Sequence, residues 1–177
     1  TPMSGYFKEP SMTKDSFTAD GWLRTGDLGE FDEQGRLRIT GRVKELFKTS
    51  KGKYVAPAPI ENKLTAHSKI EAVCVTGVNF PQPFAIIMLP LVVGKAMKQP
   101  DARGELTASF TELLENVNST LNEHEQLGFV AVVPEQWGVD NGFLTPTMKI
   151  KRAVVEKHYE TKFDQWSAAK APVIWVN

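Results

Sequence analysis

The chain has 177 residues, 41% hydrophobic and 24% charged, proportions of a globular protein rather than a disordered or fibrous one. Lys plus Arg and Asp plus Glu both number 21, so the formal net charge is 0, which argues against nucleic-acid binding by bulk electrostatics and leaves a local phosphate site open. A single cysteine, Cys74, excludes an internal disulfide and fits a reducing, cytoplasmic compartment.

The length suits one ordinary domain, or a small domain plus a piece of another. The N-terminal stretch TPMSGYFKEP lacks a charged start followed by an apolar run, so it carries no signal-peptide pattern; it does not open on Met and reads as a chain cut from something longer. Ser11, Thr13 and Asp15 predict a short capped helix over residues 11–17. Gly21 to Phe31 predicts a strand, a turn and a second strand. Asp32-Glu33-Gln34-Gly35 is a hairpin turn, and Arg36 to Gly41 alternates as the returning strand. Residues 1 to about 42 therefore form a β fragment with too little apolar material for a core of its own.

Leu46 to Val55 predicts a second hairpin, turning at Ser50-Lys51-Gly52-Lys53. A helix follows over 57–67, with proline in its first turn and Glu61 near its positive end. Ile70–Val78 and Phe84–Leu89 are β-branched apolar runs with turn-rich flanks, hence strands. The run Phe84 to Gly94 is about half a membrane span and contains Pro90, so it is a core strand with its exit. Leu91 to about Lys98 is a short helix, and Ala102-Arg103-Gly104 a loop. Residues 105–125 form the strongest helix, with Phe110, Leu113, Leu114, Val117 and Leu121 on one face and Gly128 ending it. Phe129–Val133 is a buried strand, Pro134–Gly142 a loop, and 152–166 a helix presenting Val155, Tyr159, Phe163 and Trp166. From about residue 44 onward the pattern is α+β: a small mixed β-sheet with flanking helices.

Three segments could carry chemistry, each with a plainer alternative. Asp27, after Gly26, could accept hydrogen bonds from a vicinal diol, or bond its own turn. Arg42, in Gly41-Arg42-Val43-Lys44, offers a fork of donors to hydroxyl or phosphate, or lies on the surface at a strand end. Lys149 lies between Met148 and Ile150 and is expected to point away from both on an extended segment, where it could stabilise developing negative charge or serve as part of a basic cap. The stretch 41–61, GRVKELFKTSKGKYVAPAPIE, is a basic linker or a joint that handles an anion. Cys74, in AVCV, is a buried structural thiol. His67, His124 and His158 have no partners at ligand spacing, so no metal site is assigned. The apolar tail Val173-Ile174-Trp175-Val176 is expected to fold back on the domain, with docking on a membrane or a second subunit as the open alternative.

Together, GWLRTGDLGEFDEQGRLRITGRVKELFKTSKGKYVAPAPIE and LTPTMKIKR resemble the adenylate-forming (AMP-binding) acyl-CoA synthetase superfamily, and long-chain fatty acyl-CoA synthetases in particular. The text covers about 50 residues directly, and Leu144-Thr145-Pro146-Thr147 departs from the Ser-Gly or Asn-Gly that relatives often carry before the lysine. The resemblance implies that residues 1–43 end a large adenylate-binding N-terminal domain and that 44–177 form the mobile C-terminal domain. It implies an ATP-dependent acid–thiol ligase that makes an acyl-adenylate and passes the acyl group to coenzyme A. It implies that Asp27 and Arg42 bind the adenylate, that Lys44 is the hinge, that Gly52 lies by the coenzyme A tunnel, and that Lys149 is the catalytic lysine of adenylation. Lys48, Lys51 and Lys53 receive no role beyond a solvated surface or contact with coenzyme A phosphates.

ATP and coenzyme A enter as substrates with fatty acid, and magnesium accompanies ATP with its main ligands outside this chain. The implied partners are these small molecules and the missing N-terminal domain, with no nucleic acid; peripheral membrane contact and oligomeric state stay open. The fragment is expected to be inactive alone. Two rivals remain: a ligase for aryl or medium-chain acids or a carrier-loading adenylation enzyme, and a non-catalytic interaction module.

Overall fold

The computed structural model describes residues 3–97 and 99–177; Thr1 and Pro2 of the N-terminal stretch, and Lys98 at the expected end of a helix, lie outside the described residues. The chain forms two compact units, Thr1–Glu45 and Leu46–Asn177.

The first unit opens with helix α1, Pro10–Asp15, whose first residue is the proline. The expected cap does not form at its start; instead Thr13 Oγ1 accepts from Tyr6 N–H at 2.9 Å and donates to the Glu9 carbonyl at 2.9 Å. The strand expected after Gly21 reduces to one antiparallel bridge, Phe17 to Leu23. A tight turn takes its place, with Thr18 N–H on the Trp22 carbonyl and Gly21 N–H on the Thr18 carbonyl. Strands β1, Asp27–Phe31, and β2, Leu37–Arg42, form the expected hairpin. No described residue of this unit is buried, and Phe7, Trp22 and Phe31 are 87%, 73% and 74% exposed.

The second unit begins with a short hairpin, β3 at Phe47–Lys48 and β4 at Tyr54–Val55, followed by helix α2, Pro57–Leu64. Its sheet is four-stranded and mixed. Strand β5, Ala72–Thr76, runs antiparallel to β6, Phe84–Met88. Strand β7, Val130–Val133, lies parallel to β6, and β8, Val173–Trp175, lies parallel to β7. The tail thus folds back on the domain as an edge strand. Trp175 Nε1–H donates to Thr107 Oγ1 at 2.8 Å, and the Arg103 guanidinium stacks 5.2 Å from the Trp175 ring centre. Helix α3, Leu91–Ala96, follows β6.

Alternation along the strands builds two cores, one per face. Val73, Val75, Ala85, Ile87, Val130 and Val132 face Ile60 and Leu64 of α2 and Phe110, Leu114 and Val117 of α4, Gly104–Asn118. Cys74, Phe84, Ile86, Ala131 and Val133 face Val155 and Tyr159 of helix α5, Arg152–Tyr159, and Trp166 of helix α6, Phe163–Ala168. With helices on both faces, β6 is buried along its whole length. Each buried Val, Leu, Ile or Phe among them contributes about 1.5–3 kcal/mol on leaving water.

In the second unit three stretches differ from expectation in their helices. Residues 102–103 lie in a 3-10 turn, Pro100–Arg103, and Gly104 is the first residue of α4 rather than part of a loop. Helix α4 stops at Asn118, short of Leu121 and Gly128, because the Asn118 amide donates to the Leu127 carbonyl at 2.9 Å and accepts from its N–H at 2.8 Å. Ser119 and Thr120 add hydroxyl bonds to the carbonyls of Asn116 and Val117, which competes with a further helical turn. The helix expected over 152–166 is α5 and α6 with a 3-10 turn, Glu160–Lys162, between them.

Cys74 is fully buried, and desolvation, partly offset by the Arg152 charge, pushes its thiol up from 9.0 to about 12. A raised thiol pKa stabilises the fold below pH 9 and loses that contribution as pH climbs towards 12. Maleimide at pH 8 is therefore expected to leave Cys74 unlabelled in the folded protein and to label it in denaturant, read by peptide mass. Labelling in the native state would show that the thiol is reachable.

Candidate functional site

The candidate residues of the first unit meet through the geometry of one hairpin. Its turn is fixed by Asp32, whose Oδ1 accepts the N–H groups of Gln34 at 3.0 Å and Arg36 at 2.9 Å and whose Oδ2 meets Arg36 Nε at 2.6 Å. Those bonds hold the half-exposed Asp32 carboxyl below its usual range. From the turn the register runs Phe31–Leu37, Glu30–Arg38, Gly29–Ile39 and then shifts to Leu28–Gly41 and Asp27–Arg42. Without the shift Asp27 would face Gly41; the extra residue, Thr40, puts Arg42 opposite it. Arg42 Nε then lies 3.0 Å from Asp27 Oδ1, with the arginine side chain 62% exposed and the aspartate 27%. An ion pair this open to water contributes at most about 1 kcal/mol. Stability alone is a weak reason for it, and a fork of donors beside a carboxylate is suited to a polyhydroxyl or anionic ligand.

Val43 N–H donates to the Gly26 carbonyl at 2.9 Å, which carries the hairpin one step further. Lys44 follows, exposed, in a 3-10 turn Val43–Glu45 that ends the first unit.

In the second unit Gly52 turns the β3–β4 hairpin. Its N–H donates to the Thr49 carbonyl at 2.9 Å, and Thr49 N–H to the Lys53 carbonyl at 2.9 Å. Gly52 has φ +78°, and a Cβ built there would meet only Lys48 Cε at 3.8 Å, an ordinary contact. Within this chain glycine is thus required by the sign of φ and not by crowding. Lys48, Lys51 and Lys53 are exposed, and Lys48 Nζ lies 5.7 Å from the centre of the Tyr54 ring.

Lys149 starts the return limb of a small hairpin that runs into the Leu144–Ile150 bridge, but it is not held between two packed apolar neighbours. Met148 has φ +60° and is 67% exposed. Residues 145–148 form a tight turn, with Met148 N–H on the Thr145 carbonyl at 2.8 Å, and Lys149 closes it through its carbonyl, which accepts Thr145 N–H at 2.8 Å. Lys149 N–H donates to Thr145 Oγ1 at 3.1 Å. Buried Phe143 and Leu144 root one side, and the Leu144–Ile150 bridge ties the other. The Lys149 side chain points into solvent from this turn.

The sequence reading missed an ion pair close by. Arg152 Nη1 and Nη2 grip Glu61 Oε1 and Oε2 at 2.8 and 3.1 Å. Glu61 is the fifth residue of α2 and not at its positive end. The two residues lie 91 positions apart, so no local pattern could join them; the only available signal was an arginine at the start of a helix, where a cation is disfavoured. Among the described residues no three His, Cys, Asp or Glu side chains cluster as a metal site, and no helix is long and apolar enough to cross a membrane.

The AMP-binding enzyme C-terminal domain family matches residues 45–170, and the chain belongs to that family. It is 35% identical over 173 residues to the long-chain-fatty-acid–CoA ligase FadD15 of Mycobacterium tuberculosis, an alignment covering 91% of this chain and 29% of that one. It is 34% identical over 175 residues to human long-chain-fatty-acid–CoA ligase 1, covering 90% of this chain and 25% of the relative. The chain thus spans less than a third of the length of these curated relatives. Its fold superposes with a TM-score of 0.75 on the adenylation domain of a carboxylate reductase from Mycobacterium chelonae, at 24% identity, covering 93% of this chain and 26% of that one.

Proposed function

We propose that the chain is the C-terminal part of a long-chain fatty acid–CoA ligase. The observation that carries this reading is its likeness to two such ligases, at 34–35% identity over nine-tenths of its length. In the first half-reaction the fatty carboxylate attacks the α-phosphate of ATP, giving acyl-adenylate and pyrophosphate. In the second the thiol of coenzyme A attacks the acyl carbon and AMP leaves. Asp27 accepts hydrogen bonds from the ribose hydroxyls and Arg42 donates to the same nucleotide. Lys149 brings an ammonium to the carboxylate and α-phosphate oxygens, where negative charge must be offset. Magnesium accompanies ATP on ligands outside this chain.

Residues 1–43 then belong to the large adenylate-binding domain and 44–177 to the mobile one, with Lys44 as the hinge. The division into compact units after Glu45 supports this. Gly52 serves the second half-reaction, where its turn approaches the pantetheine arm. The position of the family match, 45–170, supports reading this part as the domain that moves.

The test is AMP release by the full-length protein with palmitate, octanoate or benzoate, with coenzyme A or a carrier protein as acceptor. Palmitate with coenzyme A is expected to be favoured by at least about 10²-fold in kcat/KM, and the isolated 177-residue chain to be inactive. Preference for octanoate, benzoate or the carrier would overturn the substrate assignment, and absence of any adenylation would leave the interaction module.

A further inference from the structure

The start of α5 breaks a local rule. Lys151 and Arg152 put cations where the helix dipole is positive, and Lys151 makes no capping bond. A broken local rule asks for a compensating contact. Arg152 has one: besides its two bonds to Glu61, Nη1 donates to the Val75 carbonyl at 2.6 Å. Glu61 Oε1 in turn accepts Val75 N–H at 2.8 Å. Val75 lies on β5, an edge strand of the sheet, so the ion pair takes both of its main-chain polar groups in place of another strand.

This pair holds one root of the turn that carries Lys149. Only Ile150 and Lys151 separate Lys149 from Arg152, and Lys151 N–H is bonded to the Phe143 carbonyl at 2.8 Å. The turn is therefore tied to Phe143 and Leu144 on one side and to β5 and α2 on the other. Helix α5 has further ties to the sheet besides Arg152. Thr76 Oγ1 donates to Glu156 at 2.6 Å one helical turn further on, and Val155 and Tyr159 are fully buried.

We propose that Glu61 and Arg152 are positioning residues for Lys149, fixing the root of its turn against the sheet edge so that the ammonium is presented in one place during adenylation. The proposal rests on the reading of Lys149 given above. A displaced turn would still hold a lysine, but its charge would miss the oxygens it must meet, and small misplacements are costly in rate.

In the full-length enzyme Glu61→Gln and Arg152→Lys are each expected to lower kcat of adenylate formation by about 10- to 100-fold while shifting KM for ATP and acid by less than about threefold. Transfer from supplied acyl-adenylate to coenzyme A is expected to change by less than about threefold. Arg152→Lys keeps the charge and loses the bidentate fork, so its effect reports geometry; it carries the test should Glu61→Gln fail to fold. Added to Lys149→Ala, either change is expected to cost nothing further, because positioning acts only through the lysine. Thr76→Val, which cuts the other tie, is expected to lower Tm without a selective loss of adenylation. Equal losses in both half-reactions, or an additive loss in the Lys149→Ala background, would make the pair a structural strut and overturn the proposal. Normal adenylation in both pair variants, with Lys149→Ala impaired, would overturn the positioning role alone. Normal adenylation in Lys149→Ala would overturn the reading of Lys149 and the proposal with it.

Discussion

Replacing Lys149 with alanine in the full-length protein is expected to reduce acyl-adenylate formation by about 10²-fold or more, the cost of removing one preorganised charge-stabilising group. Transfer of the acyl group from supplied acyl-adenylate to coenzyme A should survive. A change in rate can be separated from a change in stability because of where the side chain sits. Lys149 is exposed at the end of a tight turn whose shape comes from Thr145 and from the main chain. Exposed side chains of this kind usually change stability by no more than about 0.5 kcal/mol when replaced. A loss of rate with an unchanged unfolding midpoint is then a loss of chemistry. Pyrophosphate exchange reads the first half-reaction and thioester formation from synthetic adenylate reads the second. Equal rates for wild type and variant in pyrophosphate exchange would remove Lys149 from catalysis and favour the interaction module.

Lys44→Pro tests the joint. Lys44 occupies the middle of the 3-10 turn that closes the first unit, and its side chain is exposed. Proline fixes φ near −65°, a value that a 3-10 turn accepts, and it also restricts Val43. Because Val43 is itself in the turn, it is expected to shift out of the helical region while both units stay folded, leaving the chain stiff just before the boundary after Glu45. If the two half-reactions need different orientations, one of them is expected to fall by roughly 10²-fold while the other stays close to wild type. The two assays used for Lys149 distinguish these outcomes. Equal loss of both half-reactions with the fold intact would count against Lys44 as the pivot.

The parts of the fold that were legible in the sequence are those specified locally. Asp32-Glu33-Gln34-Gly35 forms its turn through its own side chain and backbone, so the β1–β2 hairpin could be read directly. The apolar runs of β5, β6 and β7 announce strands buried on both faces. The end of α4 was not legible, because it is decided by Asn118 bonding Leu127 across a loop. The break between α5 and α6 left the spacing of Val155, Tyr159, Phe163 and Trp166 unmarked, since a 3-10 turn also returns to the same side every three residues. At the candidate site the individual residues could be singled out, yet their geometry could not. Nothing in the composition of Leu37 to Arg42 signals that Thr40 is the extra residue that brings Arg42 to Asp27. The tight turn before Lys149 was hidden for a related reason: Met148 adopts a left-handed conformation that its residue type does not suggest.

The last strand has a consequence for how the protein is made. Strand β8 pairs with β7, and residues 134–172 lie between them, so on the ribosome the sheet stays one strand short while that stretch is synthesised. At about 5–20 residues per second this takes roughly two to eight seconds. During that interval β7 offers an open edge, and Thr107 and Arg103 lack the tryptophan they later hold. A nascent chain in this state is the form most exposed to strand pairing with a neighbour. A chain lacking residues 173–175 would leave β7 as an unguarded edge and Thr107 and Arg103 without the tryptophan they hold.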